Sequence, residues 1–299
     1  MKLYRNKHLA GLIVLLLHLP GVSITGQELK RPPLTGIAFV ELQVSDIKKS
    51  TDFYAALLGF TLLPGKAGDD KKVHAFGIAV NGRQLIKLQD GLPAQQDERM
   101  LSIAYQTENA EALRVYLQSK AVKVPASVTK EKDGLTWFTV NDPDGHPVKF
   151  VEQLANSMAQ PKTTGQAISA RILHAGVTIA SATAAHAFYQ DILGFSEIWR
   201  GGANDSTTSW INMRVPEGTD YLEYMLVNAA VNRQQLGSLH HIALMVPDMQ
   251  LALDTLRIRS AAIHYPVASP RVGRNNRWQL NLFDPDGTRI ELMEPFTMR

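Results

Sequence analysis

Cysteine is absent from all 299 residues. That excludes disulfides, thiol catalysis and lipid attachment at a cleavage-site cysteine, and leaves the chain indifferent to an oxidising compartment. Long apolar runs are nearly as scarce. The single candidate, Leu9 to Leu19, contains His18 and is too short to span a bilayer comfortably. Basic tracts are missing too, so composition gives no support to nucleic-acid or acidic-surface binding.

What is present at the N-terminus has the pattern of a secretory leader. Lys2, Arg5 and Lys7 precede the apolar run, and Pro20-Gly-Val-Ser23 supplies small residues where a peptidase cuts. The expectation is a signal peptide over 1–26 and an exported mature protein, periplasmic or extracellular, with no membrane attachment once the leader is removed. The leader also carries the whole charge excess. Without its three cations the chain has 28 basic and 28 acidic residues, so the net +3 disappears. The remainder, in a chain with 45% hydrophobic residues, suits two domains of ordinary size.

Internal repetition identifies those two domains. Phe53-Tyr54 followed by Leu58-Gly59-Phe60 returns as Phe188-Tyr189 followed by Leu193-Gly194-Phe195. Asp142-Pro-Asp-Gly145 returns as Asp284-Pro-Asp-Gly287. The expected division is a first copy over 32–155, a polar Pro- and Gly-containing linker over 156–167, and a second copy over 168–299. Each copy divides again. In the first, Ile37 to Val44 reads as a strand, Ser45 to Leu58 as a helix closed by Gly59, and Val73 to Val80 and Arg83 to Leu88 as strands. Leu101 to Gln106, Asn109 to Ser119, Thr136 to Val140 and Pro147 to Val151 repeat that order. The simplest account is an α+β chain of four βαβββ modules.

One imidazole and one carboxylate stand out in the last module. Alternation puts His241, Ala243 and Met245 on one strand face and Ile242, Leu244 and Val246 on the other, so the histidine lies opposite the packed side. Glu291, between Ile290 and Leu292, does the same on the closing strand. Together they make half of a metal site. His240 is expected to face away, His264 to be a structural histidine on a strand, and His146 to be solvent-exposed beside its turn.

The Phe-Tyr and Leu-Gly-Phe segments, the Asp-Pro-Asp-Gly turns and the strand at His241 resemble the vicinal oxygen chelate family. That family includes glyoxalases, extradiol dioxygenases, fosfomycin-resistance transferases and metal-free bleomycin-resistance proteins. The resemblance covers about residues 34 to 297 and implies two tandem cup-shaped domains, each with ligand positions on the first and last strands of its modules. In the C-terminal copy those positions are His174, Glu223, His241 and Glu291, spaced by 49, 18 and 50 residues as in short bacterial glyoxalases. They imply one divalent ion, with Ni, Co, Zn, Mn or Fe(II) all compatible. In the N-terminal copy the positions are Phe39, Lys87, Leu101 and Lys149, which hold no cation and imply a buttressing role.

The chemistry implied is that of a metal-dependent lyase or isomerase acting on a small hydroxycarbonyl substrate with adjacent oxygens, through an enediolate. Glu291 is the first choice for the proton-carrying base and Glu223 the second. Short glyoxalases place an arginine four residues after the first histidine; Thr178 stands here, which argues against a glutathione hemithioacetal. Extradiol cleavage is the alternative, with His174, His241 and Glu291 as a facial triad. Against it, Asn281 replaces a signature tyrosine, and Val272, Gly273 and Arg274 surround the place of a signature histidine. A third reading is a small-molecule-binding cup without catalysis. The sequence does not assign an oligomeric state.

Overall fold

The computed structural model describes residues 29–67, 73–132, 134–152 and 166–296; the expected leader and most of the expected linker lie outside them. The N-terminal copy runs β1 (Leu34–Val44), α1 (Ile47–Asp52), β2 (Thr61–Leu62), β3 (Lys66–Ala67), β4 (Val73–Ala79), β5 (Leu85–Asp90), β6 (Met100–Thr107), α2 (Ala110–Ser119), β7 (Thr129–Lys130), β8 (Thr136–Asn141) and β9 (Pro147–Glu152). In the C-terminal copy β10 (Ile172–Ile179), α3 (Ala182–His186), β11 (Ser196–Gly201), β12 (Trp210–Arg214) and β13 (Tyr221–Leu226) come first. After them come α4 (Arg233–Leu239), β14 (His241–Met245), α5 (Met249–Ile263), β15 (Arg271–Val272), β16 (Trp278–Phe283) and β17 (Arg289–Met293). Among the described residues no helix is long and apolar enough to cross a membrane.

Local chemistry sets the module boundaries. Each module helix opens on a short polar side chain that accepts a backbone N–H three residues on: Asp46, Asn109, Ser181 and Asp248. In the first and third modules the helix widens into a π-helical turn, Phe53–Leu57 and Ala187–Ile192. The chain then reverses at Gly59 (φ 74°) and Gly194 (φ 79°), a left-handed conformation that glycine adopts without strain. This explains the repeated Leu-Gly-Phe. His264 is not on a strand as expected; it ends α5 with φ 53°.

The strands form one sheet per copy, ordered β2-β4-β5-β1-β6-β9-β8-β7 and β11-β12-β13-β10-β14-β17-β16-β15, with β3 paired to β4. This is the tandem α+β architecture of two cups. One face of each sheet joins the helices in a single continuous core that includes Tyr54, Tyr105, Tyr189, Phe195 and Tyr224. The other face forms the cup.

The repeated motifs turn out to touch one another. Tyr189 donates its hydroxyl to Asp142 Oδ2 (3.0 Å), and Tyr54 donates to Asp284 Oδ2 (3.4 Å), so each copy's tyrosine reaches the other copy's turn. The second aspartate of each turn does likewise, accepting from Ala180 N (3.2 Å) and Ser45 N (3.0 Å). Both first aspartates are buried, and their other oxygen closes their own turn. Removing the hydroxyls takes the tyrosine's bond from Asp284 Oδ2 and leaves Asp142 Oδ2 to His146 Nδ1 (2.9 Å), which costs roughly 1–3 kcal/mol at the first site and about 1 kcal/mol at the second. Tyr54→Phe combined with Tyr189→Phe should therefore lower unfolding stability in urea by a few kcal/mol, and a double variant as stable as wild type would contradict this account.

Candidate metal centre

The four central strands of the C-terminal sheet, β13-β10-β14-β17, each present one of the expected ligands on the cup face. The registers arrange them in two related sets. Gly176 pairs with Glu223 on one side and His241 on the other, while Ala243 pairs with His174 and Glu291. Small residues thus stand where the larger side chains converge. Across the sheet the order is Glu223, His174, His241, Glu291.

All four are buried. His174 Nε2 and His241 Nε2 lie 3.0 Å apart. Glu223 Oε2 is 3.2 Å from His241 Nε2 and 3.7 Å from His174 Nε2. Glu291 Oε2 is 3.7 Å and 4.0 Å from the same two nitrogens. Donor atoms bonded to one ion at about 2.1 Å stand roughly 3.0 to 3.5 Å from one another, so this spacing fits a shared ion. The His174, Glu223 and His241 group, with ligand atoms all within 4.8 Å of one another, could hold one metal ion.

The electrostatics agree with the geometry. Burial lowers His174 to about 3 and takes His241 well below its ordinary value, so both rings are neutral at pH 7. The Nδ1 of His241 donates to Leu239 O (2.9 Å), which leaves its Nε2 lone pair facing the cluster. Burial raises Glu291 to about 7; Arg289 opposes that and the Glu223 charge adds to it. Arg289 Nη2 is 3.9 Å from Glu291 Oε2, and the Arg271 and Arg277 charges act on the cluster from farther away. Two neutral nitrogens and two buried carboxylates make a donor set short of positive charge, and a divalent ion supplies it.

A pH dependence follows. Glu291 must give up its proton to bind a cation, and in the metal-free protein it keeps that proton up to about pH 7. Metal affinity should accordingly fall about tenfold from pH 8 to pH 6, with about one proton released per ion at the lower pH. Titration calorimetry in buffers of different ionisation enthalpy measures both quantities. Affinity that does not change over this range would exclude a protonated Glu291.

The N-terminal cup has the same scaffold with different contents. The registers confirm Phe39, Lys87 and Lys149 as counterparts of His174, Glu223 and Glu291, but the counterpart of His241 is Ser102 and not Leu101. Ser102 follows Ala104 on the cup face by regular alternation, and the β1–β6 pairing then skips Leu101, going from Glu41–Ser102 to Leu42–Met100. Glu41 occupies the Gly176 position. It accepts from Ser102 Oγ (3.0 Å) and from Lys149 Nζ, while the Lys87 ammonium sits 3.7 Å above the Phe39 ring. Burial raises Glu41, but Lys149 and Ser102 outweigh it and hold the carboxyl below its ordinary value. An internal ion pair fills the place of the ion.

Other side chains border the cluster or meet at the boundary between the copies. Tyr221, two positions before Glu223, stacks on His174 with ring centroids 4.5 Å apart. Arg289 holds the matching position before Glu291 and went unrecognised in the sequence; a step of two along the strand would have found it. His240 and His146 meet at the boundary between the copies, with centroids 5.2 Å apart. His240 bridges Thr178 Oγ1 (2.9 Å) and Glu98 Oε2 (2.7 Å), and His146 bonds Asp142 (2.9 Å), so His146 belongs to the packing between copies.

Comparison with known proteins adds a family and a fold. The model of the Glyoxalase/Bleomycin resistance protein/Dioxygenase superfamily matches twice, over 36–150 and 171–292. No curated protein matches the chain by sequence. Among solved structures, the 2,3-dioxygenase LapB from Pseudomonas sp. KL28 superposes with a TM-score of 0.66 at 12% identity, covering 89% of this chain and 93% of that one. Homoprotocatechuate 2,3-dioxygenase from Arthrobacter globiformis gives 0.66 at 18% identity, covering 90% and 82%. The Mn(II)-bound glyoxalase from Novosphingobium aromaticivorans gives 0.65 at 18% identity, covering 88% and 83%.

Proposed function

The chain belongs to the Glyoxalase/Bleomycin resistance protein/Dioxygenase superfamily, and from that premise we propose that it is an exported metal-dependent enzyme of the glyoxalase type. Its reaction is a lyase or isomerase step on a small hydroxycarbonyl compound. The observation that carries this reading is the position of Glu223, whose Oε2 lies 3.2 Å from His241 Nε2, inside the ligand cluster. Four donors suit proton-transfer chemistry on a chelated substrate better than a three-ligand oxygen-activating centre.

When bound, a divalent ion supplies Lewis-acid polarisation to two adjacent substrate oxygens. The chain's own groups do the rest. Glu291 is the first candidate for taking and returning the substrate's proton, a carboxylate that can loosen from the ion to do so, and Glu223 is the second. The neutral imidazoles hold position without competing for that proton. Thr178, at the place of the arginine expected in glutathione-using relatives, is bonded to His240. This supports a substrate other than a glutathione hemithioacetal.

Extradiol ring cleavage is the second reading, favoured by the convergence of His174, His241 and Glu291 and by the likeness to dioxygenases along most of the chain. One comparison separates them. The Mn(II)- or Ni(II)-loaded protein is expected to exchange the carbon-bound hydrogen of glycolaldehyde with D2O, followed by NMR. The Fe(II)-loaded protein should take up no oxygen with catechol. Oxygen uptake without exchange would overturn the proposal in favour of the dioxygenase reading. Export with removal of the leader, so that the mature protein begins near Ser23 to Gln27, rests on the leader's pattern; retention of residues 1 to 22 in exported protein, seen by intact mass, would refute that cleavage.

A further inference from the structure

The two ligand glutamates have matching neighbours across the sheet. Asn212 on β12 pairs directly with Glu223, and Asn281 on β16 pairs directly with Glu291. Both strands send their flanking residues, Ile211 and Met213 or Leu280 and Leu282, into the helix-side core, so both asparagines stand on the cup face beside the ligands. Asn212 is 4% exposed. The amide oxygens Asn212 Oδ1 and Asn281 Oδ1 are both buried, and neither has a hydrogen-bond partner.

A buried amide acceptor without a partner is costly, and native proteins keep one where something else fills it. The N-terminal copy shows what these positions become without a ligand set. The residues facing Lys87 and Lys149 there are Gly77 and Thr139. Asparagine occurs only in the copy that gathers the ligands, and there it occurs twice, in related places.

Building on the metal-site reading above, we propose that Asn212 and Asn281 are paired specificity residues. They accept hydrogen bonds from hydroxyl groups of a substrate chelated at the centre. The substrate class narrows to compounds that keep an O–H on a chelating oxygen, as an α-hydroxycarbonyl or α-hydroxy acid does, with that hydrogen given to one amide or the other according to which way round the substrate lies. Chelators of equal bite without such a donor leave both acceptors empty and bind less well.

The test uses the Mn(II)-loaded full chain and two probes, glycolate and oxalate. Both chelate through adjacent oxygens, and each is compared with itself in wild type and variant, so the difference in their charge and any contribution of Arg289 cancel. Only glycolate offers a hydroxyl. Asn212→Leu combined with Asn281→Leu should weaken glycolate about tenfold, leave oxalate within about twofold, and leave the metal stoichiometry unchanged, one lost hydrogen bond being worth about that factor. Should the double variant fail to fold, Asn281→Leu alone, at the less buried position, reads the same difference. An equal loss for both chelators, or no loss for glycolate, overturns the proposal while the metal site stands. Failure of the wild-type protein to take up Mn(II) overturns the metal-site reading and this proposal with it.

Discussion

Glu223→Ala should lower both metal affinity and activity by an order of magnitude or more. The reasoning starts from position. Glu223 Oε2 is 3.2 Å from His241 Nε2 and 3.7 Å from His174 Nε2, closer to both nitrogens than Glu291 Oε2 at 3.7 Å and 4.0 Å. Loss of groups that merely support a ligand already costs roughly ten- to a hundredfold, so loss of a ligand itself must cost at least as much. The two enzyme readings part here. A three-ligand dioxygenase centre keeps its ion on His174, His241 and Glu291 when Glu223 is removed. Glu291→Ala is the control, since both readings require that carboxylate. Elemental analysis after dialysis decides the matter: full occupancy in Glu223→Ala, beside loss in Glu291→Ala, would refute the four-ligand assignment.

The sequence displayed the parts of this site more clearly than their assembly. Alternation in His241 to Val246 separated cup from core because one strand's faces depend only on a period of two. The first copy's helix starts were legible, read at Ser45 and Asn109 where the caps are Asp46 and Asn109, since capping is a local bond. Pairing between strands was another matter. Leu101 was placed where Ser102 stands because the strand was read as opening on the cup face at Leu101, whereas alternation from Ala104, paired with Phe39, puts Ser102 on that face and the ladder then skips Leu101; only the pairing shows this. Asn212 and Asn281 became visible only when register set them opposite the glutamates. The reach of Tyr54 and Tyr189 into the other copy's turns was hidden for the same reason. Repetition marked those residues as related but could not say that they touch.

Gly176 carries the other large expected effect. Gly176→Ala should reduce metal affinity about a hundredfold or more, comparable to removing His241, since a direct ligand is displaced. A Cβ at this position would lie 2.0 Å from His241 Cε1, 2.2 Å from Nδ1 and 2.9 Å from Nε2. The imidazole has little room to yield, being fully buried and fixed through Nδ1 to Leu239 O. The backbone is equally constrained, because Gly176 is paired to Glu223 on one side and to His241 on the other. Ring and strand therefore cannot both stay, and either shift takes Nε2 from the cluster. The N-terminal copy supports the steric account: there the long side chain of Glu41 occupies this position, and its neighbour is the small Ser102. Large and small have exchanged places between the copies. Overpacking of this kind costs about 1–3 kcal/mol of stability, so the variant should still fold. Gly176→Ala with His241→Ser, which recreates the small neighbour, should recover most of that stability in urea without recovering metal. A Gly176→Ala protein that binds its ion at wild-type affinity would show that His241 does not need this space.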